Sequence, residues 1–260
     1  MRMPFLNRYR RRLADRVLPK AAGIRVVSER VKTSLVARYG SRPSEIGAQS
    51  HGAGIPEPSV IPVSVDTNVP TPALLPKHPF SFVLIAVGRL EPEKRIEDLL
   101  AALKLVVGHY PMVGLCIVGE GRERGRLERM ARSLNLENHV IFLGERPDAR
   151  ALIGSAQAFI QASAYEGYGR TLIEAALARV PIITTDVGIV GEVFKGYEDV
   201  LAVPVADPTA LSLGIVGIIE DDTVRQELPR RAEIAARRHL EAAGDLPVRI
   251  VRDLARASEE

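Results

Sequence analysis

The 260-residue chain has one cysteine, Cys116, and no tryptophan. A single thiol excludes an internal disulfide, and chains without disulfides suit reducing compartments. Long apolar runs are missing as well. The longest, Phe82 to Val87, is far short of the roughly 20 residues that a membrane-spanning helix needs. The first twenty residues are rich in arginine and have no apolar core, so they do not read as a signal peptide. These absences point to a cytoplasmic protein, soluble or peripheral on the inner membrane face. Aromatics are scarce among the basic residues Arg8 to Arg16, where only Tyr9 occurs, which argues against a base-stacking platform and against nucleic acid as a partner. Internal repeats and low-complexity tracts are absent too. At this length about three quarters of the unfolded surface can be buried, so no covalent staple is needed.

What is present is uneven in charge. Residues 1–42 carry twelve Lys/Arg against Asp15 and Glu29, a balance of +10, which leaves the rest of a +3 chain at −7. A basic head on a mildly acidic body suits an anionic membrane or a charged partner surface, or is simply a solvated helix face. Leu6, Tyr9, Leu13 and Val17 recur at spacings of three and four, which predicts a basic amphipathic helix over Phe5 to Leu18. Such a helix could lie on a membrane surface near a lipid-linked substrate. Ile24 to Val27 reads as a short strand. A helix follows from Glu29 to about Tyr39, with Ser28 as N-cap and Gly40 as stop. Ser41 to Pro79, broken by prolines and glycines, reads as a linker with one short strand, Ser59 to Val65.

From Phe80 the pattern changes. Phe80 to Val87, Gly114 to Val118, Val140 to Leu143, Ala158 to Gln161, Pro181 to Thr185 and Val200 to Val205 are short apolar runs, mostly separated by segments of helical period. The clearest helix places Ile96, Leu99, Leu100, Leu103, Val106 and Val107 on one stripe. Alternating strands and helices with near-continuously apolar strands indicate an α/β fold, a doubly wound parallel sheet covered on both faces. Such sheets bind ligands beyond the carboxyl ends of their strands.

Three segments lie there. After the first run, Gly88 allows a sharp turn, and Arg89 and Lys94 bracket a loop leading to a helix, a setting for a di-anion, although a lone pair of surface cations is common. After the second, Gly119-Glu120-Gly121 with Gly125 has three residues between its last two glycines, where a dinucleotide fingerprint has two; it reads as a tight strand-to-helix turn. After the fourth comes Ser163-Ala164-Tyr165-Glu166-Gly167-Tyr168-Gly169-Arg170-Thr171-Leu172-Ile173-Glu174-Ala175. Its glycines let the backbone approach a ligand closely, and the free N–H groups of a helix beginning near Arg170 would face it. Two carboxylates, Glu166 and Glu174, would meet different parts of that ligand, and a carboxylate suits vicinal hydroxyls. Ile173, Ala175, Ala176 and Leu177 make the helix apolar nearly all round, so Glu174 is a candidate buried acid.

Glu166 and Glu174, eight positions apart within Glu-Gly-Tyr-Gly and Glu-Ala, resemble the paired-glutamate motif of the family-four retaining glycosyltransferases of the GT-B fold. Gly88-Arg89-Leu90 with Lys94 is similar to that family's phosphate-binding loop. Val118 to Gly121, Phe142-Leu143-Gly144, Pro181 to Gly188 and the junction at Ile61-Pro62 with Val65-Asp66 also resemble it, so the likeness runs from Ile24 to about Asp207. The resemblance implies that Arg89 and Lys94 neutralise the diphosphate of a UDP- or GDP-sugar and that Glu174 holds its ribose. It implies that Glu166 contacts the transferred hexose, that Gly169, Arg170 and Thr171 offer backbone N–H groups to the distal phosphate, and that Gly167 belongs to the same donor site. Gly88 and Gly144 would line the rest of the donor site, Gly144 near the base. The implied acceptor is a glycan or a lipid-linked sugar, as in polysaccharide biosynthesis, with retention of configuration.

The chain departs from the family at Arg179, where a helix-ending glycine is usual, at Ile189 and Gly191 in the sugar-facing loop, and at Ser64 in the domain junction. By comparison with that family, an amino-terminal Rossmann domain with a glycine-rich loop and a histidine near the acceptor is also expected to be absent. Expected, then, are a remnant of that acceptor-side domain with its linker over residues 1–68, a Rossmann-like nucleotide-sugar domain over 69–240 and a carboxy-terminal helix over 241–260.

No Asp-x-Asp pair ends a strand, and Glu220-Asp221-Asp222 reads as solvated charge, so no metal and no cofactor are expected. Two charge-assisted contacts at about 1.5–3 kcal/mol each, a helix start at about 0.3–2 and a ribose contact leave room for affinities of about −4 to −8 kcal/mol without a metal. A glycoside hydrolase also needs paired carboxylates but has no use for Arg89 and Lys94. Two readings stand: a hexosyltransferase, weak or inactive without its amino-terminal domain, and a non-catalytic nucleotide-sugar-binding subunit completed by a partner domain.

Overall fold

The computed structural model describes residues 4–21, 23–42 and 54–244. They fall into two compact units, one comprising residues up to Val63 and from Ala242 on, the other Ser64–Glu241.

The smaller unit begins with α1 (Pro4–Val17), followed by a short 3-10 turn, β1 (Arg25–Val26), α2 (Glu29–Tyr39), β2 (Ser41–Arg42), β3 (Ile55–Pro56) and β4 (Ser59–Val60). β1 pairs in parallel with β4, and β2 with β3. The expected linker over Ser41 to Pro79 is therefore corrected at its start. Ser41–Arg42 pair with Ile55–Pro56 and Ser59–Val60 with Arg25–Val26, and Ile55 is buried in a small core with Ile24 and Val26. Two-residue strands are too short to show alternation, so no periodic signal marks them. Ser28 Oγ accepts from the Val31 N–H and caps α2, and Gly40 ends it, as its sequence predicts. Asp15 of α1 accepts hydrogen bonds from Tyr39 (2.8 Å) and Arg38 (2.9 Å), which hold its carboxyl below the usual carboxylate range. On α1, Leu13 and Val17 remain about half exposed. Among the described residues no helix is long and apolar enough to cross a membrane.

The larger unit contains β5 (Phe82–Val87), α3 (Ile96–Val107), β6 (Val113–Val118), α4 (Arg124–Ser133), β7 (Val140–Gly144), α5 (Ala149–Ile153), β8 (Ala158–Gln161), α6 (Arg170–Leu177), β9 (Ile182–Thr185), β10 (Leu201–Val203), α7 (Pro208–Glu220) and α8, which runs Asp222–Ala243. Each predicted apolar run contributes a strand. The sheet is parallel throughout, in the order β10-β9-β8-β5-β6-β7. β6 is buried along its whole length, as are β8 and β9, because helices cover both faces. Leu99, Leu100 and Leu103 of α3 pack with Leu211, Ile215 and Ile218 of α7 in the main core. The expected carboxy-terminal helix over 241–260 lies, beyond residue 244, outside the described residues.

The strand order reverses at β5. The chain first builds β6 and β7 on one side, then returns to place β8 on the other, with Leu84 opposite Ala158 and Ile85 opposite Phe159. The loops leaving β5 and β8 must diverge at this switch point, which opens a crevice beyond their carboxyl ends.

Arg179 follows α6 in the left-handed region, at φ 57°. Its N–H donates to the Ala176 carbonyl at 3.0 Å, closing the helix end as a glycine usually does. Its guanidinium meets Glu233 of α8 at 2.5 Å. The side chain thus gains a partner, while the backbone keeps its strain, about 1–2 kcal/mol for a residue with a Cβ. Arg179→Gly is expected to be more stable than Arg179→Ala by about 1 kcal/mol, since both lose the ion pair and glycine alone relieves the backbone. Urea unfolding of the two variants measures this; equal midpoints and slopes would show that φ at this position is not strained.

Candidate functional site

The loop after β5 is held by its neighbours. The Gly88 N–H donates to Val118 O (3.0 Å), the Leu90 N–H to Glu120 O (2.8 Å), and the Gly119 N–H to Gly144 O (2.7 Å). Three strand ends are thereby laced side by side. Gly119, at φ 136°, is needed because a Cβ there would run into the Gly88 carbonyl oxygen. The glycine run after β6 thus serves loop-to-loop packing. Beyond this lacing lies an open depression of about 500 Å³, lined by Gly88, Arg89, Glu120, Gly121, Glu145 and Arg146 among others. Its size is within the range of small-molecule sites. Gly144, at φ 70°, turns the chain behind the depression, and its successors Glu145 and Arg146 reach it.

The cations of the β5 loop have separate fates. Arg95 turns onto Asp98 with two hydrogen bonds, 2.5 and 3.0 Å, and steadies the first turn of α3. Arg89 is 75% exposed on the rim of the depression, 3.6 Å from Glu93. Lys94 turns across the switch point instead. Its ammonium donates to Glu166 Oε1 at 2.5 Å, and Ser163 Oγ donates to the same oxygen at 2.8 Å. The two loops also join through their backbones, the Ala164 N–H donating to Glu93 O at 2.8 Å. Ser163 is itself fixed, its carbonyl accepting from Thr185 Oγ1 at 2.6 Å.

Gly169, at φ 98°, leads into α6. No side chain caps this helix start, which is the condition in which amide N–H groups can serve an anion. Thr171 Oγ1 donates to Gln161 Oε1 at 3.2 Å, which fixes the first turn onto β8. Glu174, one turn in, is 9% exposed among Leu172, Ile173, Ala175, Ala176 and Leu177. Arg170 Nε donates to its Oε1 at 3.0 Å, while Arg150 Nε stands 3.9 Å from the same oxygen, is buried, and makes no hydrogen bond. The rest of Arg150 grips the start of the unit: its Nη1 meets Asp66 Oδ2 at 3.0 Å, and its Nη2 donates to the carbonyls of Asp66 and Asn68, each at 2.8 Å. Burial pushes the Glu174 carboxyl up, against the opposing pull of Arg170 and Arg150.

The predicted residues therefore gather in two clusters and one outlier. Lys94 and Glu166 share one hydrogen-bonded group, Arg170 and Glu174 share a second, and Arg89 stands exposed beside Glu93 of its own loop. Arg150, Ser163 and Gln161 were missed. Ser163 and Gln161 flank the motif but look like ordinary strand-end polar residues, and Arg150 sits on the five-residue helix α5 with no local signal at all. Among the described residues no three His, Cys, Asp or Glu side chains are grouped to hold a metal ion.

The sheet order and its crevice define a Rossmann-like α/β unit of the GT-B kind. Residues 75–239 match the family described as glycosyl transferases group 1, and the chain belongs to that family. It is 32% identical over 213 residues to a glycogen synthase of Mycobacterium tuberculosis, an alignment covering 80% of this chain and 50% of that protein. The chain thus spans about half the length of this curated relative. In fold it is similar to Anabaena HepE, solved in complex with UDP and glucose, with a TM-score of 0.78 at 22% identity over 94% of this chain and 66% of that one. It is also similar to the carboxy-terminal domain of a group 1 glycosyl transferase, LpcC, from Francisella tularensis, with a TM-score of 0.60 at 21% identity over 66% of this chain and 96% of that one.

The raised Glu174 carboxyl has a consequence for stability. In the unfolded chain an ordinary glutamate loses its proton near pH 4.3. The folded form holds the proton to higher pH, so Glu174 costs stability as pH rises above that value. Glu174→Gln removes the cost, and its stability relative to the wild type should improve from pH 4 to about pH 7. Thermal unfolding of both proteins at the two pH values checks this, and a variant that fares relatively better at the acid end contradicts it.

Proposed function

We propose that the chain binds a UDP- or GDP-sugar in this crevice and provides the donor half of a retaining hexosyltransferase. Arg89, Lys94 and the amino end of α6 neutralise the diphosphate. Glu174 accepts hydrogen bonds from the ribose hydroxyls, Glu166 from the hexose, and the depression beside Gly144 takes the base. The observation that carries this reading is the Lys94–Glu166 pair across the switch point. A diphosphate entering the crevice competes for the Lys94 ammonium, which frees the Glu166 carboxylate to accept sugar hydroxyls. Donor and hexose are thus recognised by one exchange of partners. Glu174 supports it further, since a carboxyl whose charge is disfavoured by burial suits a ligand that supplies hydroxyl donors.

Charge builds on the departing diphosphate as the sugar leaves, and fixed cations and amide N–H groups stabilise it without reorganising. The residues supply that charge themselves, so the reading is metal-independent. The acceptor is a hydroxyl of a glycan or of a lipid-linked sugar.

The second reading is a nucleotide-sugar-binding subunit without activity of its own, completed by a partner domain. Both readings require donor binding. A thermal-shift and calorimetric screen of UDP-, GDP- and ADP-sugars is expected to find a ligand with Kd between about 1 μM and 1 mM, unchanged by EDTA. Lys94→Ala and Glu174→Ala are each expected to weaken it by about tenfold or more, the equivalent of one charge-assisted contact. Failure of all the sugars to bind, or loss of binding in EDTA, overturns the proposal.

Transfer distinguishes the two readings. The chain alone is expected to turn over more slowly than about 1 per second, the low end of ordinary enzymes. A rate above that refutes the need for another domain, whereas rescue only on adding an amino-terminal domain selects the binding subunit.

A further inference from the structure

The turn that joins Glu166 to α6 has one side chain, Tyr168, between two glycines. Gly167 and Gly169 can offer no side-chain contact, and glycine on both sides leaves the backbone with unusual freedom. Whatever holds Tyr168 therefore bears on where Glu166 and the first amides of α6 point.

Tyr168 is 5% exposed. Its carbonyl accepts from the Ile189 N–H at 2.9 Å, which ties it to the loop after β9. Its hydroxyl lies 2.8 Å from His239 Nε2, and the two rings are 6.0 Å apart and tilted by 39°. His239 belongs to α8, 71 residues further along the chain than Tyr168. Burial, aided by the charge of Glu192, pushes the Tyr168 phenol up to about 12, so it keeps its proton. Burial also lowers the His239 imidazole, which favours its neutral form and leaves a ring nitrogen free to accept. A protonated phenol donating to a neutral, partly buried imidazole satisfies the hydroxyl of the buried tyrosine, and losing His239 takes that partner away.

We infer that His239 is a positioning residue of the donor site, which acts through Tyr168 to fix the 166–171 segment and makes α8 part of the donor-binding apparatus. The inference rests on the donor reading above for its functional consequence, but the geometric part stands by itself.

Four full-length variants test it: Tyr168→Phe, His239→Ala, their double combination and His239→Gln, whose amide can replace the Nε2 contact. Two measurements are made on each. The first is amide hydrogen exchange of the ligand-free protein. The second is affinity for whichever of UDP-glucose and GDP-mannose binds the wild type. Tyr168→Phe and His239→Ala are each expected to speed exchange within 166–172 by about fivefold to tenfold, the equivalent of one hydrogen bond. Each should weaken sugar-nucleotide binding by a similar factor. The double variant should be no worse than the singles, and His239→Gln should recover most of the loss. Unchanged exchange in this segment, acceleration spread evenly over the chain, losses that multiply in the double variant, or no recovery with glutamine each overturn the inference. A wild type that binds none of the screened UDP-, GDP- and ADP-sugars instead sinks the donor reading, and the exchange measurement still decides whether His239 positions the turn. Should His239→Ala fail to fold, Tyr168→Phe and His239→Gln carry the test.

Discussion

Everything that bears on function in this chain depends on the lateral contact of β5 with β8. These strands are neighbours in the sheet although more than seventy residues separate them, and their helices leave in opposite senses. Where they part, the loops 88–95 and 163–170 face one another. The backbone bond from Ala164 to Glu93 and the ion pair from Lys94 to Glu166 close that junction. Both charged groups are largely withdrawn from water, so their attraction is less screened than that of a surface pair. A ligand that can replace both partners, giving anion to the lysine and hydroxyl to the carboxylate, can displace it without leaving a buried charge alone. A nucleoside diphosphate sugar carries both groups.

Around this junction the arginines divide between support and display. Arg95 and Arg146 are engaged by acids close in sequence, Asp98 and Asp148, and Arg150 is engaged by the Asp66–Asn68 segment and faces Glu174. Arg89 remains on the rim. The same division separates the glycines: Gly119 makes room for a backbone, whereas Gly169 opens the start of α6. The proposed donor reading would use this division of labour, because a site for an anionic leaving group needs a few displayed cations on a rigid base.

Much of the larger unit was legible before any coordinates. Runs such as Phe82 to Val87 and Ala158 to Gln161 are apolar because both faces of a parallel sheet are covered, and that requirement is written directly into composition. The buried acid of α6 was legible for a related reason, since Glu174 interrupts a helix that is otherwise apolar. The short strands β2 and β3 were not, because two residues cannot display a period. Arg150 and His239 were illegible for another cause. Each acts at a site whose other members lie 24 to 84 residues away in the chain, and nothing near them in sequence hints at the partner.

By itself, then, the order of residues determined the alternation of strands and helices, the parallel sheet, and the kinds of side chain at each strand end, because these follow from local period, turn chemistry and charge. Tertiary structure alone decided that Lys94 meets Glu166, that Arg150 faces Glu174 and that Tyr168 meets His239. The physical reason is the crossover connection. Parallel neighbours are joined by long excursions through helices, so the groups that touch at a switch point are distant along the chain, and no spacing rule encodes their contact.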